Sequence, residues 1–268
     1  MDPGCQPPGS PPGEREPPPV RAGYTAAPMA SPSLPLDKHS SRIREMFARV
    51  AHRYDLLNHL LSGSVDRLWR RRAARSLART LPEGARVLDL CCGTGDQAEA
   101  LRRRGFDVVA ADFCMPMLAL AQPKFARGER RRPRPVNADA LALPMADGEF
   151  DGATVSFGLR NVADLDVALA EVARVLRPGG EVAILEFTVP VWQPMRGFYL
   201  FYFRHLLPRI GHWVSGDASA YTYLPESVLE FPQREGFVAS LARAGLESGR
   251  FESLSGGILC LYRARRRA

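Results

Sequence analysis

Residues 87–96 read Val-Leu-Asp-Leu-Cys-Cys-Gly-Thr-Gly-Asp, and this segment restricts the fold more than any other. The run Val87-Leu88-Asp89-Leu90 is a short buried strand, and a helix is expected just past the glycines. Gly93 and Gly95 carry no Cβ, so a ligand can approach the backbone closely at the turn between them. From there strands and helices alternate. Phe106 to Ala111 is expected as a strand and Met115 to Ala121 as a helix. Phe150 to Ser156 follows as a strand, Leu165 to Leu176 as a helix and Glu181 to Phe187 as a strand. Alternation of this kind gives right-handed crossovers and a mainly parallel sheet with helices on both faces.

The chain on either side is organised differently. Residues 1–37 are dominated by Pro, Gly and Ser and bury too little apolar area to offset ordering entropy, so they are expected as a disordered extension. Residues 38–268 form the folded domain. It opens with a helical stripe, Ile43, Phe47, Val50, Tyr54, Leu57 and Leu61, at alternating steps of four and three. Ser62-Gly63-Ser64 breaks that stripe, and a second helix runs through Leu68, Trp69 and Leu77. After Phe187 the alternation stops. Val191 to Val214 is rich in aromatics, with Arg196, Arg204 and His205 between them, and is expected as an inserted helical segment. A helix from Gln233 to Ala244 and strands near Leu246–Ser253 and Gly257–Tyr262 complete the sheet.

A Gly-x-Gly turn with Asp112 roughly 20 residues further on, at the end of the second strand, fits a dinucleotide as well as S-adenosylmethionine, since both carry ribose hydroxyls. The remaining acids separate the two. Asp89, Asp96 and Asp139 are expected to converge with Asp112 on one crevice at the carboxyl ends of the strands. Several carboxylates there suit a sulfonium and an ammonium group better than a pyrophosphate. S-adenosylmethionine is therefore the expected cofactor. Taken singly, Asp89 could be a strand-end cap, Asp112 a helix N-cap and Asp139 a solvated loop acid.

Five cysteines form no C-x-x-C pair, so neither a disulfide framework nor a metal site is indicated. The net charge of +7 leaves nucleic acid or anionic lipid open as partners. The clusters at Arg70–Arg72 and Arg102–Arg104 are expected on solvated helix faces or ends, that at Arg130 in a loop, and that at Arg265 in a tail. No secretory signal or spanning segment is visible, so a cytoplasmic protein is expected, at most resting on a membrane surface.

Beyond these patterns, the chain from Phe47 onward resembles the quinone-biosynthesis C-methyltransferases. The resemblance is carried by Phe47-Ala48-Arg49-Val50-Ala51-x-Arg53-Tyr54-Asp55-Leu56-Leu57-Asn58, Trp69-Arg70-Arg71, and the glycine loop. It continues in Ser156-Phe157-Gly158-Leu159-Arg160-Asn161-Val162, Leu176-Arg177-Pro178-Gly179-Gly180 and Leu185-Glu186-Phe187. His205-x-Leu207-Pro208-Arg209-Ile210-Gly211 and Tyr221-x-Tyr223-Leu224-Pro225-Glu226-Ser227 complete it. The resemblance implies a class I Rossmann-like α/β methyltransferase with a seven-stranded sheet and an N-terminal helical cap. It carries the cofactor residues onto Thr94, Asp112, Asp139, Ala140 and Ser156, beside Asp89, Gly93 and Gly95 from the loop itself. Cys91 stands where the general methyltransferase loop has its first glycine.

The implied reaction is C-methylation of a prenylated quinol, demethylmenaquinol ahead of a ubiquinone-precursor benzoquinol. Arg160 and Asn161, just after the fourth strand, are candidates to stabilise a phenolate or orient a water, and His205 is a candidate base. Arg160 could instead cap a helix or pair with Asp164. The aromatic and basic residues from Trp192 to Trp213 suit peripheral contact with the inner membrane surface that holds the prenyl tail. A homodimer is compatible with this reading. Competing readings are a methyltransferase for another lipid-like acceptor, an RNA methyltransferase and a non-catalytic binding module. The second lacks an Asn-Pro-Pro-aromatic loop after the fourth strand, so no nucleic-acid partner is expected.

Overall fold

A computed structural model describes residues 41–49, 51, 62–126, 131–202 and 219–268. The elements, in chain order, are α1 (Asp66–Leu77), β1 (Arg86–Leu90), α2 (Asp96–Arg102), β2 (Asp107–Asp112), α3 (Met115–Ala126) and β3 (Arg134–Asn137). There follow β4 (Phe150–Ser156), α4 (Leu165–Val175), β5 (Leu176–Phe187), α5 (Gln193–Phe201), α6 (Ser219–Glu230), α7 (Glu235–Arg243), β6 (Leu246–Leu254) and β7 (Leu259–Arg266). Residues 41–49 are helical ahead of them. The seven strands form one sheet in the order β3-β2-β1-β4-β5-β7-β6. The first five are parallel, and β7 runs antiparallel to both β5 and β6.

Side chains alternate across each strand, and two apolar layers result. Leu88, Leu90, Val109, Ala111, Val182 and Ile184 pack against Leu169 and Val172 of α4 and Phe237 and Leu241 of α7. Val87, Val108, Ala110, Ala183 and Leu185 pack against Trp69, Ala73, Ala74 and Leu77 of α1, with α2 and α3 beside it. Asp89 shares the Val87 side of β1 by the same alternation, which directs it toward the α1 layer. The strand order reverses direction at β1, where β2 lies on one side and β4 on the other. A crevice opens there beyond the carboxyl ends of the strands, as it does in open parallel sheets generally.

Three expectations are corrected. The strand expected from Glu181 begins at Leu176, where the helix was expected to end, because Leu176 already pairs with Phe150 and the ladder resumes at Gly152 and Glu181 after an irregularity. The arginines expected in a C-terminal tail belong to β7 and its end. Arg265 meets Glu181 at 2.5 Å, Arg266 donates to the Arg174 carbonyl at 2.8 Å, and Arg267 pairs with Glu247. Arg70, expected on a solvated face, is 8% exposed. Its helical neighbours at three, four and seven positions are Ala73, Ala74 and Leu77, so the helix period itself carries it inward. The proline-rich extension, Arg130, and the aromatic segment beyond Tyr202 up to residue 218 lie outside the described residues.

Candidate active site

Two left-handed residues and a glycine turn shape the crevice. Cys91, at the end of β1, has φ +55°, and Phe157, just past β4, has φ +65°. Such values are unusual for residues with a Cβ and are held only where the surroundings impose them. Gly158 makes the Cys91 conformation possible, because a Cβ at 158 would lie 2.3 Å from the Cys91 Cβ. In the turn that follows β1, Gly93 (φ +54°) faces open space, whereas a Cβ on Gly95 (φ +86°) would meet the Phe125 ring at 2.5 Å. The first glycine therefore leaves room for a ligand, and the second lets α2 pack against α3.

Asp112, the last residue of β2, anchors that turn. Its Oδ2 accepts the Gly93 N–H at 2.8 Å and its Oδ1 accepts the Cys114 N–H at 2.8 Å. Burial raises its pKa, opposed by the N–H groups of Cys114, Gly93 and Phe113. Asp139 follows β3 and accepts the Leu141 N–H at 3.0 Å. The loop carrying it has little regular structure, but Arg174 of α4 holds it from below. That guanidinium donates to the carbonyls of Leu143 at 2.9 Å and Met145 at 2.8 Å, while Glu171 accepts the Leu143 N–H at 2.7 Å.

The resulting cavity has about 750 Å³ of space including its mouth. Gly93, Asp112, Asp139, Ala140, Ser156 and Asn161 line it, together with Cys91, Gly158 and an apolar wall of Phe47, Phe113, Met117, Leu141, Phe157 and Val162. Phe47 comes from the helical residues 41–49, which supply the expected cap. Ser156 Oγ and Asn161 Oδ1 are buried with no hydrogen-bond partner among the described residues. Buried polar atoms of this kind call for a ligand or water.

The other expected site residues stand outside this lining. Asp89 is fully buried beneath it; Thr154 Oγ1 donates to Asp89 Oδ1 at 2.9 Å. Burial pushes its carboxyl up to about 7, against the Thr154 hydroxyl and the charge of Arg70. Asp96 faces α3 instead of the crevice, 2.7 Å from Lys124 Nζ. Thr94 is buried between the two glycines, and Gly95 packs under Phe125. His205 lies outside the described residues.

Arg160 lies on a 3-10 turn, Leu159–Asn161, one residue before Asn161. Its guanidinium pairs with Glu186 Oε2 at 3.1 Å and donates to the Phe157 carbonyl. It does not pair with Asp164, which caps α4 by accepting the Val167 N–H at 3.0 Å. Burial raises the Glu186 pKa, and the Arg160 charge opposes it. Tyr199 and Tyr223 lie within the field of Arg160, and burial raises both phenols, Tyr223 to about 12. Glu186 and the apolar wall were absent from the sequence reading of the site. Glu186 had one signal: a carboxylate at the end of an otherwise apolar strand, which needs a buried partner.

A seven-stranded sheet with this order, a left-handed glycine turn after β1 and an acid ending β2 defines the class of fold: the Rossmann-like α/β sheet found in S-adenosylmethionine-dependent methyltransferases. The solved structures agree on the fold. A methyltransferase from Thermotoga maritima described as a possible histamine N-methyltransferase superposes with a TM-score of 0.60 at 18% identity, covering 83% of this chain and 99% of that one. The [4+2]-cyclase SpnF gives 0.59 at 21%, covering 85% and 97%, so the fold does not by itself fix the chemistry.

The family is fixed by sequence. Residues 36–266 match the ubiE/COQ5 methyltransferase family, and the chain belongs to it. The demethylmenaquinone methyltransferase of Thermus thermophilus is 47% identical, over 81% of this chain and 98% of its own length. That of Deinococcus radiodurans is 46% identical, over 82% and 90%. A ubiquinone/menaquinone biosynthesis C-methyltransferase from Rubrivivax gelatinosus is 42% identical, over 84% and 87%.

Proposed function

We propose that this protein methylates a ring carbon of a prenylated quinol, with demethylmenaquinol as its natural acceptor and S-adenosylmethionine as donor. The observation that carries the reading is the cavity at the β1 switch point. It sets a polar floor of Asp112, Ser156 and Asn161 against an apolar wall of Phe47, Phe113, Met117 and Phe157, beside relatives named for this activity.

The residues fit the donor. Asp112 is a buried carboxylate already fixed by two N–H groups and retains lone pairs for ribose hydroxyls. Gly93 leaves open space where a side chain would obstruct. When bound, S-adenosylmethionine supplies an electrophilic methyl group on a sulfonium. Asp112, Asp139, Ala140 and Ser156 hold its nucleoside part, and Asp89 supports the turn from beneath. Asn161 offers Oδ1 to the ring hydroxyl of the acceptor, which favours electron donation into the ring. Arg160 does not itself line the cavity but bonds Phe157, which does, and is a positioning residue. It fixes the Phe157 carbonyl and, from behind Asn161, biases the site toward a phenolate. The apolar wall would exclude water from the ring carbon that accepts the methyl group.

The acceptor carries a long apolar tail, and α5 presents a surface suited to the bilayer that holds it. Val191, Trp192, Phe198 and Phe201 are all more than half exposed, with Arg196 exposed among them. Aromatic residues beside a cation fit the boundary between headgroups and hydrocarbon, and we place the protein at the cytoplasmic face of the membrane. No helix among the described residues is long and apolar enough to cross a membrane.

The test is to supply methyl-labelled S-adenosylmethionine with reduced demethylmenaquinone or the unmethylated ubiquinone precursor, then extract and count the lipids. Label in the naphthoquinol alone supports the reading, and label in both supports the dual activity named in the Rubrivivax relative. No label in either, with the donor still bound, refutes the acceptor class and leaves the methyltransferase.

A further inference from the structure

Arg70 combines burial with a lack of hydrogen bonds. Its side chain is only 10% exposed, and its nearest carboxylate oxygen, Asp66 Oδ2, stands 3.8 Å from Nε, beyond hydrogen-bond reach. Among the described residues no acceptor receives any of its N–H groups, and Nε is fully enclosed without a partner. A guanidinium presents five donors in a rigid planar fork. Burying one without hydrogen-bonded compensation is strongly unfavourable, so a position like this is expected to serve a ligand or not to persist.

The surroundings say where the ligand lies. The guanidinium sits over the ring of Phe157, 5.2 Å from its centroid, and Phe157 lines the cavity. Charge divides the cavity into two ends across β1. Asp112 and Asp139 occupy the side of β2 and β3, where an anion would be repelled and hydroxyl groups welcomed. Phe157 lies on the side of β4, two strand spacings or roughly 10 Å away, and the Arg70 guanidinium stands against its ring, just beyond the lining. A molecule that spans both ends needs hydroxyls at one and an anion at the other.

We propose that Arg70 receives the carboxylate of the amino-acid tail of S-adenosylmethionine, in a charge-assisted and bidentate pair. The fork of a guanidinium matches a carboxylate in plane and spacing. The inference rests on the cofactor reading given above and adds to it the residue that holds the end remote from the nucleoside. Seated on the Phe157 ring, Arg70 keeps its orientation without a protein acceptor, which leaves its N–H groups available.

The test separates the tail from the nucleoside. S-adenosylhomocysteine and 5′-methylthioadenosine share the adenosine and the thioether sulfur, and only the first carries the amino-acid tail. Calorimetric titration of the full chain and of Arg70→Met and Arg70→Lys with each ligand gives four ratios to wild type. Arg70→Met is expected to weaken S-adenosylhomocysteine by about 10–100-fold, the range of a lost charge-assisted hydrogen bond. It should leave methylthioadenosine within about 2-fold, which also shows the pocket is still folded. Arg70→Lys should recover part of the loss.

An equal loss for both ligands would make Arg70 a packing residue and overturn the proposal. Unchanged binding of both overturns it as well. If wild type binds neither ligand, the cofactor reading falls first and the proposal with it, a result distinct from the other two.

Discussion

Asp89 offers the sharpest test of how burial governs this fold. Its carboxyl has no solvent exposure, one hydrogen bond from Thr154 and a second oxygen without a partner. Burial lifts its pKa from the ordinary 3.8 to about 7. In the unfolded chain the same group titrates near its ordinary value. Between those two values the folded state holds a proton that the unfolded state has released. The stability from that proton is fully present below pH 4 and is lost as pH rises through 7. At about 1.4 kcal/mol per pH unit, the loss between pH 5 and pH 8 comes to roughly 2–3 kcal/mol. Asp89→Asn keeps the shape of the group and abolishes its titration. Urea unfolding of wild type and variant across pH 5 to 8 should therefore show wild type losing about 2–3 kcal/mol relative to the variant. Glu186 is present in both proteins and cancels in the comparison, whereas Asp112, whose charge helps raise the Asp89 carboxyl, adds a smaller coupled difference. Parallel pH profiles for the two proteins would falsify the reasoning, and would mean that water or the Arg70 charge keeps Asp89 ionised at its usual pH.

Other substitutions probe the crevice and its supports. Gly95→Ala should cost about 2–4 kcal/mol in urea unfolding, because it adds overpacking against Phe125 to a left-handed backbone. Gly93→Ala faces open space, so it should cost only about 1 kcal/mol while weakening S-adenosylhomocysteine markedly in calorimetry. Asp112→Asn should weaken S-adenosylhomocysteine and methylthioadenosine alike, by about 10-fold or more, since both carry the ribose that Asp112 holds. Glu186→Gln leaves Arg160 buried without its counter-charge and should cost about 3–5 kcal/mol in urea unfolding. Arg160→Met combined with Glu186→Leu should cost less than Glu186→Gln alone. A double variant as unstable as Glu186→Gln, or more so, would refute the pairing.

Much of the fold was legible because its signals are periodic and local. The strand Phe150–Ser156 and the starts of α3 and α4 stood out from the apolar runs and their spacing, and the glycine turn located the crevice. The errors arise where one residue obeys two patterns. Arg70 belongs to a run of three arginines, which reads as a solvated cluster, yet its spacing from Ala73, Ala74 and Leu77 places it on the apolar face. Periodicity outweighs composition here, because the helix buries whatever its geometry turns toward the sheet. Asp96 went astray for a related reason. It opens α2, where an acid near the glycines looks like part of the site, but Lys124 on α3 captures it across the helix pair. The partner lies 28 positions away in sequence, beyond any local pattern.

The acids of the crevice differ in role because the strand pleat sorts them. Asp112 ends β2 and reaches the cavity, so its charge is available to a ligand. Asp89 lies one residue short of the end of β1 and points into the α1 layer, so its charge is spent within the protein. A carboxylate count at the strand ends therefore overstates how acidic the binding surface is. What the ligand meets is Asp112 and Asp139 at one end and, across β1, an aromatic ring backed by Arg70. That division favours a molecule with hydroxyls at one end and a carboxylate at the other.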